Sequence, residues 1–202
     1  CAFVNPIIGT NGMGHTFPGA CAPFGLVQLS PDTDTIPHNI DGTYQKNAYE
    51  YCAGYQYYDP TIVGFSHTHL SGTGHSDLGD VLIMPATGQL KLNPGRAGTP
   101  DEGYRSRFSH DTEVARPGYY EVELADYGIK AQLTATQRVG IHKYTFPDNA
   151  DGHIILDLIH GIYNYDGKTL WANLRVENDT LLTGYRITNG WARTNYTYLA
   201  IS

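Results

Sequence analysis

Residues 64–80 read GFSHTHLSGTGHSDLGD, and they set His67, His69 and His75 beside Asp77 and Asp80 in a chain otherwise poor in charge. Several chemistries are open to such a set. On an extended segment, residues two apart leave from one face, so His67 and His69 can form a metal chelate that His75 and Asp77 would complete. Imidazoles can also contact a substrate, or satisfy buried loop carbonyls. SGTG has the look of a phosphate cradle, but neither the lysine nor the helix of a P-loop follows it, and that reading is discarded.

Elsewhere the candidates for catalysis are sparse. Asp77 and Asp80 are neighbours in sequence, which says little about the geometry that glycoside hydrolysis needs across a scissile bond. Asp101, Glu102, Asp111, Glu113, Asp148 and Asp151 fall in turn-like text, where carboxylates are ordinarily solvated. No GxSxG string is present, and Cys52, flanked by tyrosines in EYCAGYQYY, reads as a small core residue. Aromatic residues are more suggestive. Phe17, Phe24, Tyr44, Tyr49, Tyr51, Tyr55, Tyr57, Tyr58 and Phe65 crowd the first third of the chain. Rings with polar tips beside Asn, Asp and His suit the apolar face and hydroxyl edge of a sugar, and they equally suit packing under long loops.

The elements that must position these residues are β. With 23 Gly, 11 Pro and 16 Tyr in 202 residues, and 16% charged residues, the composition favours turns and strands over long helices. From about residue 80 the text alternates: DVLIMP, GQLKL, YYEVELADYGIKAQLTATQRVGIHKYTFP, HIILDLI, LWANLRVEN, TLLTGYRITN and YTYLAI, with turn pairs between them. In the long segment Tyr127, Ile129, Ala131 and Leu133 share one face. This predicts an all-β fold, a large antiparallel sandwich. The first 80 residues carry Gly and Pro too densely for sheet interiors and are predicted to be long ordered loops. NYTYLAIS stops inside an alternating run, which reads as a piece of something longer.

A formal charge of −7, from 13 Lys+Arg against 20 Asp+Glu, repels phosphate backbones and argues against a nucleic-acid partner. No stretch approaches the roughly 18 apolar residues of a spanning helix. Cys1, Cys21 and Cys52 give no CxxC spacing and cannot all pair, so neither a zinc knuckle nor a disulfide framework is indicated. Cys1 has two readings, the lipid-bearing residue of a bacterial lipoprotein or simply the point at which the sequence starts.

Five strings carry a family resemblance: FVNPIIGT, GMGHTFPGACAPFGLVQLSPDT, CAGYQYYD, TIVGFSHTHLSGTGHSDLGDVLIMP and PGYYEVELADYGIKAQLTATQRVGIHKYTFP. In order, and over nearly the whole chain, they resemble the N-terminal domain of the glycoside hydrolase family 92 α-mannosidases. The resemblance implies an exported bacterial protein, periplasmic or at the cell surface, that removes terminal mannose from α-mannosides such as glycoprotein glycans, with inversion and with calcium. It implies a supersandwich-like β domain at 1–202 and a following helical (α/α)6 barrel, with the active site between them. The catalytic acid and base and most calcium ligands would lie on that barrel, so the resemblance implies no catalytic residue and no metal ligand in this chain, which alone would be inactive.

In that frame the sandwich forms one wall of the sugar pocket. The resemblance points to loops around Phe17 to Gly19 and around Tyr51 and Cys52 as contacts to the terminal mannose, with His67 and His69 as support at the domain boundary. Calcium suits the reaction, because the cis hydroxyls of mannose can replace two waters on a hard cation and favour distortion toward the transition state. A sandwich built against a barrel should also leave an apolar, aromatic face uncovered. A stand-alone carbohydrate-binding sandwich and a His-ligated metalloenzyme are the competing readings.

Overall fold

The computed structural model describes residues 3–34 and 39–202, so the reading of Cys1 lies outside the described residues. Every strand pairing among them is antiparallel. A five-stranded sheet runs β1 (Ala20–Cys21), β2 (Gln28–Asp32), β6 (Gly64–Ser66), β7 (Leu82–Thr87) and β13 (Gly152–Asp157). A four-stranded sheet runs β12 (Gly140–Thr145), β11 (Ile129–Ala135), β10 (Tyr119–Leu124) and β9 (Val114–Arg116). Two small ribbons pair β3 (Asn39–Ile40) with β4 (Thr43–Tyr44), and β5 (Thr61–Ile62) with β8 (Ser106–Arg107). The last sheet is β14 (Thr169–Asn178), β15 (Leu181–Thr188) and β16 (Asn195–Ile201). Helical structure is confined to 3-10 turns of three to six residues.

The core lies between the first two sheets. Val27, Leu29, Phe65, Leu82 and Met84 of the five-stranded side meet Tyr120, Val122, Leu124, Ile129, Ala131 and Leu133 of the four-stranded side. The period of two places Ile129, Ala131 and Leu133 inward, each at most 1% exposed, with Tyr127 packed against them. Burying a large apolar side chain contributes about 1.5–3 kcal/mol, so this shared face is the main cohesive element. The all-β sandwich expected from the alternation is therefore the fold.

Two local expectations differ from the structure. The GQLKL run is not a strand, because Gly88 turns with φ +76° and donates its N–H to the Asp151 carbonyl at 2.9 Å, closing the β7–β13 pair. Leu90 and Leu92 then stand exposed. The text VQLSPD, read as loop, contains β2, which lies inside the five-stranded sheet between β1 and β6. Pro31 lacks the N–H of a ladder residue, and β2 accommodates it because β1 pairs only with Gln28 and Leu29, leaving Pro31 beside β6 alone. The last sheet exposes much aromatic and aliphatic surface, with Trp171, Val176, Tyr196 and Tyr198 all more than half exposed.

Candidate functional site

The loops at one end of the five-stranded sheet converge on Asp32, the last residue of β2, which has no exposed surface. His69 Nε2 lies 2.8 Å from Asp32 Oδ1, and His160 Nε2 lies 2.7 Å from Oδ2. Burial alone would raise the Asp32 carboxyl, but the charge and hydrogen bonds of His69 and His160 outweigh it and hold the group well below the usual carboxylate range. An anionic Asp32 accepts only, so both imidazoles donate to it. His69 Nδ1 meanwhile faces the Gln28 carbonyl at 2.7 Å, which also accepts only. Both ring nitrogens of His69 thus face acceptors, and the Asp32 carboxylate and the Gln28 carbonyl hold the ring between them.

Three loop segments, 14–20, 51–54 and the turn at Gly72, are tied to this pair. The 14–20 segment lays Phe17 against the His69 ring, with centroids 5.2 Å apart. It also sets His15 edge-on to Tyr49 at 4.9 Å, while the His15 carbonyl accepts the Gly72 N–H at 2.6 Å. Gly19 is pressed onto β2 so closely that a Cβ would lie 2.2 Å from the Leu29 carbonyl oxygen. The 51–54 turn closes with a Gly54 N–H to Tyr51 carbonyl bond of 2.9 Å and presents Gly54, at φ +78°, to Asp32. A Cβ there would fall 2.1 Å from Asp32 Oδ1, so glycine is required by backbone conformation and by space.

Tyr51 is half-buried and donates its hydroxyl to Asp59 Oδ1 at 3.0 Å; burial first and the Asp59 charge second push the phenol far up. Cys52 is fully buried, donates to the Tyr49 carbonyl at 3.0 Å and receives the Ser76 hydroxyl at 3.3 Å. Burial raises this thiol, against the opposing Ser76 bond, so it remains a neutral packing group. Phe17, Gly19, Tyr51, Cys52 and His69 thus belong to one loop cluster, in which Phe17 and Tyr51 keep some exposure and the other three shape it from beneath.

His67 points elsewhere. It donates Nδ1–H to the Val81 carbonyl at 2.6 Å, and its Nε2 meets Nε2 of His142, on β12, at 3.0 Å. His142 Nδ1 in turn lies 2.6 Å from the Tyr144 hydroxyl. Burial lowers both rings, and the neighbouring His67 adds to the effect on His142, which falls to about 3. Both are neutral at pH 7, which fixes the direction of the whole chain: Tyr144 O–H to His142, His142 N–H to His67, His67 N–H to Val81. The i, i+2 spacing does not converge, because β6 ends at Ser66 and the two rings join different partners. His75 packs edge-on to Trp191 and Asp77 pairs with Lys168, so neither completes a set with His67 or His69.

This donor arrangement does not fit calcium, which takes six to eight oxygens. Asp32 is occupied by two imidazoles, Asp77 by Lys168 and the Trp191 N–H, and Asp80 by Thr68 and Arg186. Among the described residues no three His, Cys, Asp or Glu side chains gather as a metal site. Asp32, His160, Lys168 and Arg186 were not singled out from the sequence. Alternation gave no signal for Arg186, because it shares a strand face with Leu182, Gly184 and Thr188 while the more apolar phase holds Leu181, Tyr185 and Ile187.

The chain matches the glycosyl hydrolase family 92 N-terminal domain over residues 3–202. It belongs to glycoside hydrolase family 92. A family 92 α-mannosidase of Bacteroides thetaiotaomicron, solved in complex with mannoimidazole, is 46% identical, with a TM-score of 0.87 over 98% of this chain and 24% of that one. The family 92 inverting mannosidase of the same organism is 27% identical, with a TM-score of 0.69 over 96% of this chain and 24% of its own. A sequence relative from Arthroderma benhamiae, described as an uncharacterized secreted glycosidase, is 30% identical over 149 residues, 73% of this chain and 17% of the relative. The family 92 domain described here therefore spans about a quarter of the length of its solved relatives. No helix among the described residues is long and apolar enough to cross a membrane.

Proposed function

We propose that this chain is the N-terminal domain of an exported, inverting, calcium-dependent exo-α-mannosidase, and that it forms one wall of the mannose pocket. The observation that carries the reading is the match over nearly the whole chain to a mannosidase solved with mannoimidazole. The local geometry supports it, since Phe17 packs on His69, which pairs with Asp32, Gly19 is pressed onto β2, and the turn that carries Tyr51 and Cys52 brings Gly54 against Asp32. Phe17 offers an apolar face for a pyranose ring, and the His69–Asp32 hydrogen bond locks the loop beneath it. His67 contributes through the packing of the two sheets.

In this reading the acid, the base and the calcium ligands are supplied by residues outside 1–202, so the domain binds and orients sugar and moves no proton in the reaction. Secretion of the fungal relative supports export, and a bacterial periplasm or cell surface is the proposed location. The test is hydrolysis of an aryl α-mannoside and an α-linked mannobiose by the full-length protein, followed by proton NMR. Appearance of β-mannose as the first product, with loss of turnover on chelation, is the expected result. Failure to cleave any α-mannoside, or first release of the α-anomer, overturns the reading.

A further inference from the structure

A second set of groups lies away from the Asp32 cluster, in a cleft of about 230 Å³ between the 70–80 segment and the β15–β16 connection. Its outer wall is Trp191, an indole that is 70% exposed. Three contacts place the turn that carries it. Its backbone N–H donates to Asp77 Oδ2 at 2.8 Å, and the His75 ring packs edge-on to the indole at 4.7 Å. The preceding Gly190 lies so close that a Cβ would stand 2.4 Å from Asp77 Oδ1. The turn is thus built onto the Asp77 carboxylate, and the indole it carries packs on the His75 ring.

The floor is polar and internally balanced. Lys168 is 1% exposed, and its Nζ gives one hydrogen bond to Asp77 Oδ1 at 2.8 Å. An ammonium has three donors and a carboxylate about four acceptor positions, so the pair retains capacity on both sides. Burial would raise Asp77, but the Lys168 hydrogen bond and the Trp191 N–H hold it below its ordinary value, so it is a pure acceptor at neutral pH. Asn195 and Thr188 complete the lining with neutral polar groups, and Leu70 and Leu78 with apolar ones. Asp80 also lines the cleft and is paired with Arg186 behind it, so two carboxylates, each already facing a cation, give no net attraction for a phosphate or a carboxylate. A rigid ring beside adjacent donors and acceptors suits a neutral ligand with one apolar face and vicinal hydroxyls.

We infer that the Trp191–Asp77–Lys168 cleft is a binding subsite for a neutral hexopyranose unit, with its C–H face on the indole and its hydroxyls on the Asp77–Lys168 pair. The choice of mannose as the sugar rests on the mannosidase reading; the subsite itself rests on the cleft. The test is 19F NMR of the full-length protein labelled with 5-fluorotryptophan, with the Trp191 resonance assigned through Trp191→Phe. Methyl α-D-mannopyranoside is titrated in, sorbitol serves as a hydroxyl-rich control without a ring face, and hydrolysis is followed in the same tube. A saturable shift of the Trp191 resonance with the mannoside and none with sorbitol is expected.

Asn195→Ala, which leaves the ion pair intact, and Asp77→Asn should each weaken that response, the latter by about tenfold. A Trp191 resonance that stays still while the mannoside is hydrolysed overturns the subsite and leaves the mannosidase reading standing. A saturable shift without hydrolysis keeps the subsite and sinks the mannosidase reading. Equal shifts with sorbitol and mannoside, or unchanged affinity in both variants, overturn the subsite.

Discussion

His67 and His69 sit two residues apart on the same strand exit and belong to two regions with opposite electrostatics. His67 belongs to a neutral chain through His142 and Tyr144 that stitches the five-stranded sheet to the four-stranded one. His69 belongs to an ionised cluster at the sheet's end, where Asp32 binds two imidazoles and three loops collect around them. The difference follows from what lies opposite each ring. Burial beside a carbonyl and a second imidazole lowers the His67 and His142 rings, whereas the two imidazoles facing Asp32 hold that carboxylate in its charged form. The neutral region serves cohesion, and the ionised region fixes loop geometry.

Removing the centre of the ionised region should produce the largest effect. Asp32→Ala leaves two buried imidazoles without their acceptor and should destabilise the domain by about 3–5 kcal/mol. For a domain of this size that lowers the melting temperature by roughly 10 °C, measurable by calorimetry. Loss of only a degree or so would mean that the cluster is decorative. Gly54→Ala should come next, since it forces a Cβ against Asp32 at a positive φ. About 1–3 kcal/mol is expected, with the 51–54 turn losing hydrogen-exchange protection before either sheet does.

The two regions should also separate in acid. His142 is held down at about 3, so between that value and an ordinary histidine pKa of about 6.5 the unfolded chain binds a proton that the fold refuses. Its contribution is complete above about pH 6.5 and is lost as pH falls. Asp32 is also lowered, so its contribution is present above an unfolded carboxyl value of about 3.9 and is lost only below that. A stability profile of His142→Phe against the parent should therefore show a shallower pH 4–6 slope, with the share that His67 supplies remaining, and keep the fall below pH 4. Parallel profiles would contradict the neutral chain. The smallest effect should come from a chelator, which is expected to leave the melting of this domain unchanged because Asp32, Asp77 and Asp80 are already paired.

Much of the sandwich was legible from the sequence because alternation reports burial directly: Ile129, Ala131 and Leu133 are inward for the reason their spacing indicates. β2 was not, because Pro31 and the short core contact at Val27 and Leu29 break the period before it can register. The loop cluster was half legible. GHTFPGA and CAGY were visible as unusual text, but Asp32 and His160 are 128 positions apart and only the fold joins them. No local pattern distinguishes the partner of His67 from that of His69 either, since strand parity ends with β6 at Ser66 and each ring follows its own loop.

The central claim is that the loop cluster, and not the sheet-to-sheet seam, faces the sugar. It is tested most directly by kcat/KM for an α-mannoside in the full-length protein carrying Phe17→Ala, compared with Ile141→Ala on the exposed side of β12. The account predicts a fall of about tenfold or more for Phe17→Ala, at a temperature where both variants remain folded, and parental turnover for Ile141→Ala. Parental kcat/KM in the Phe17 variant would contradict it.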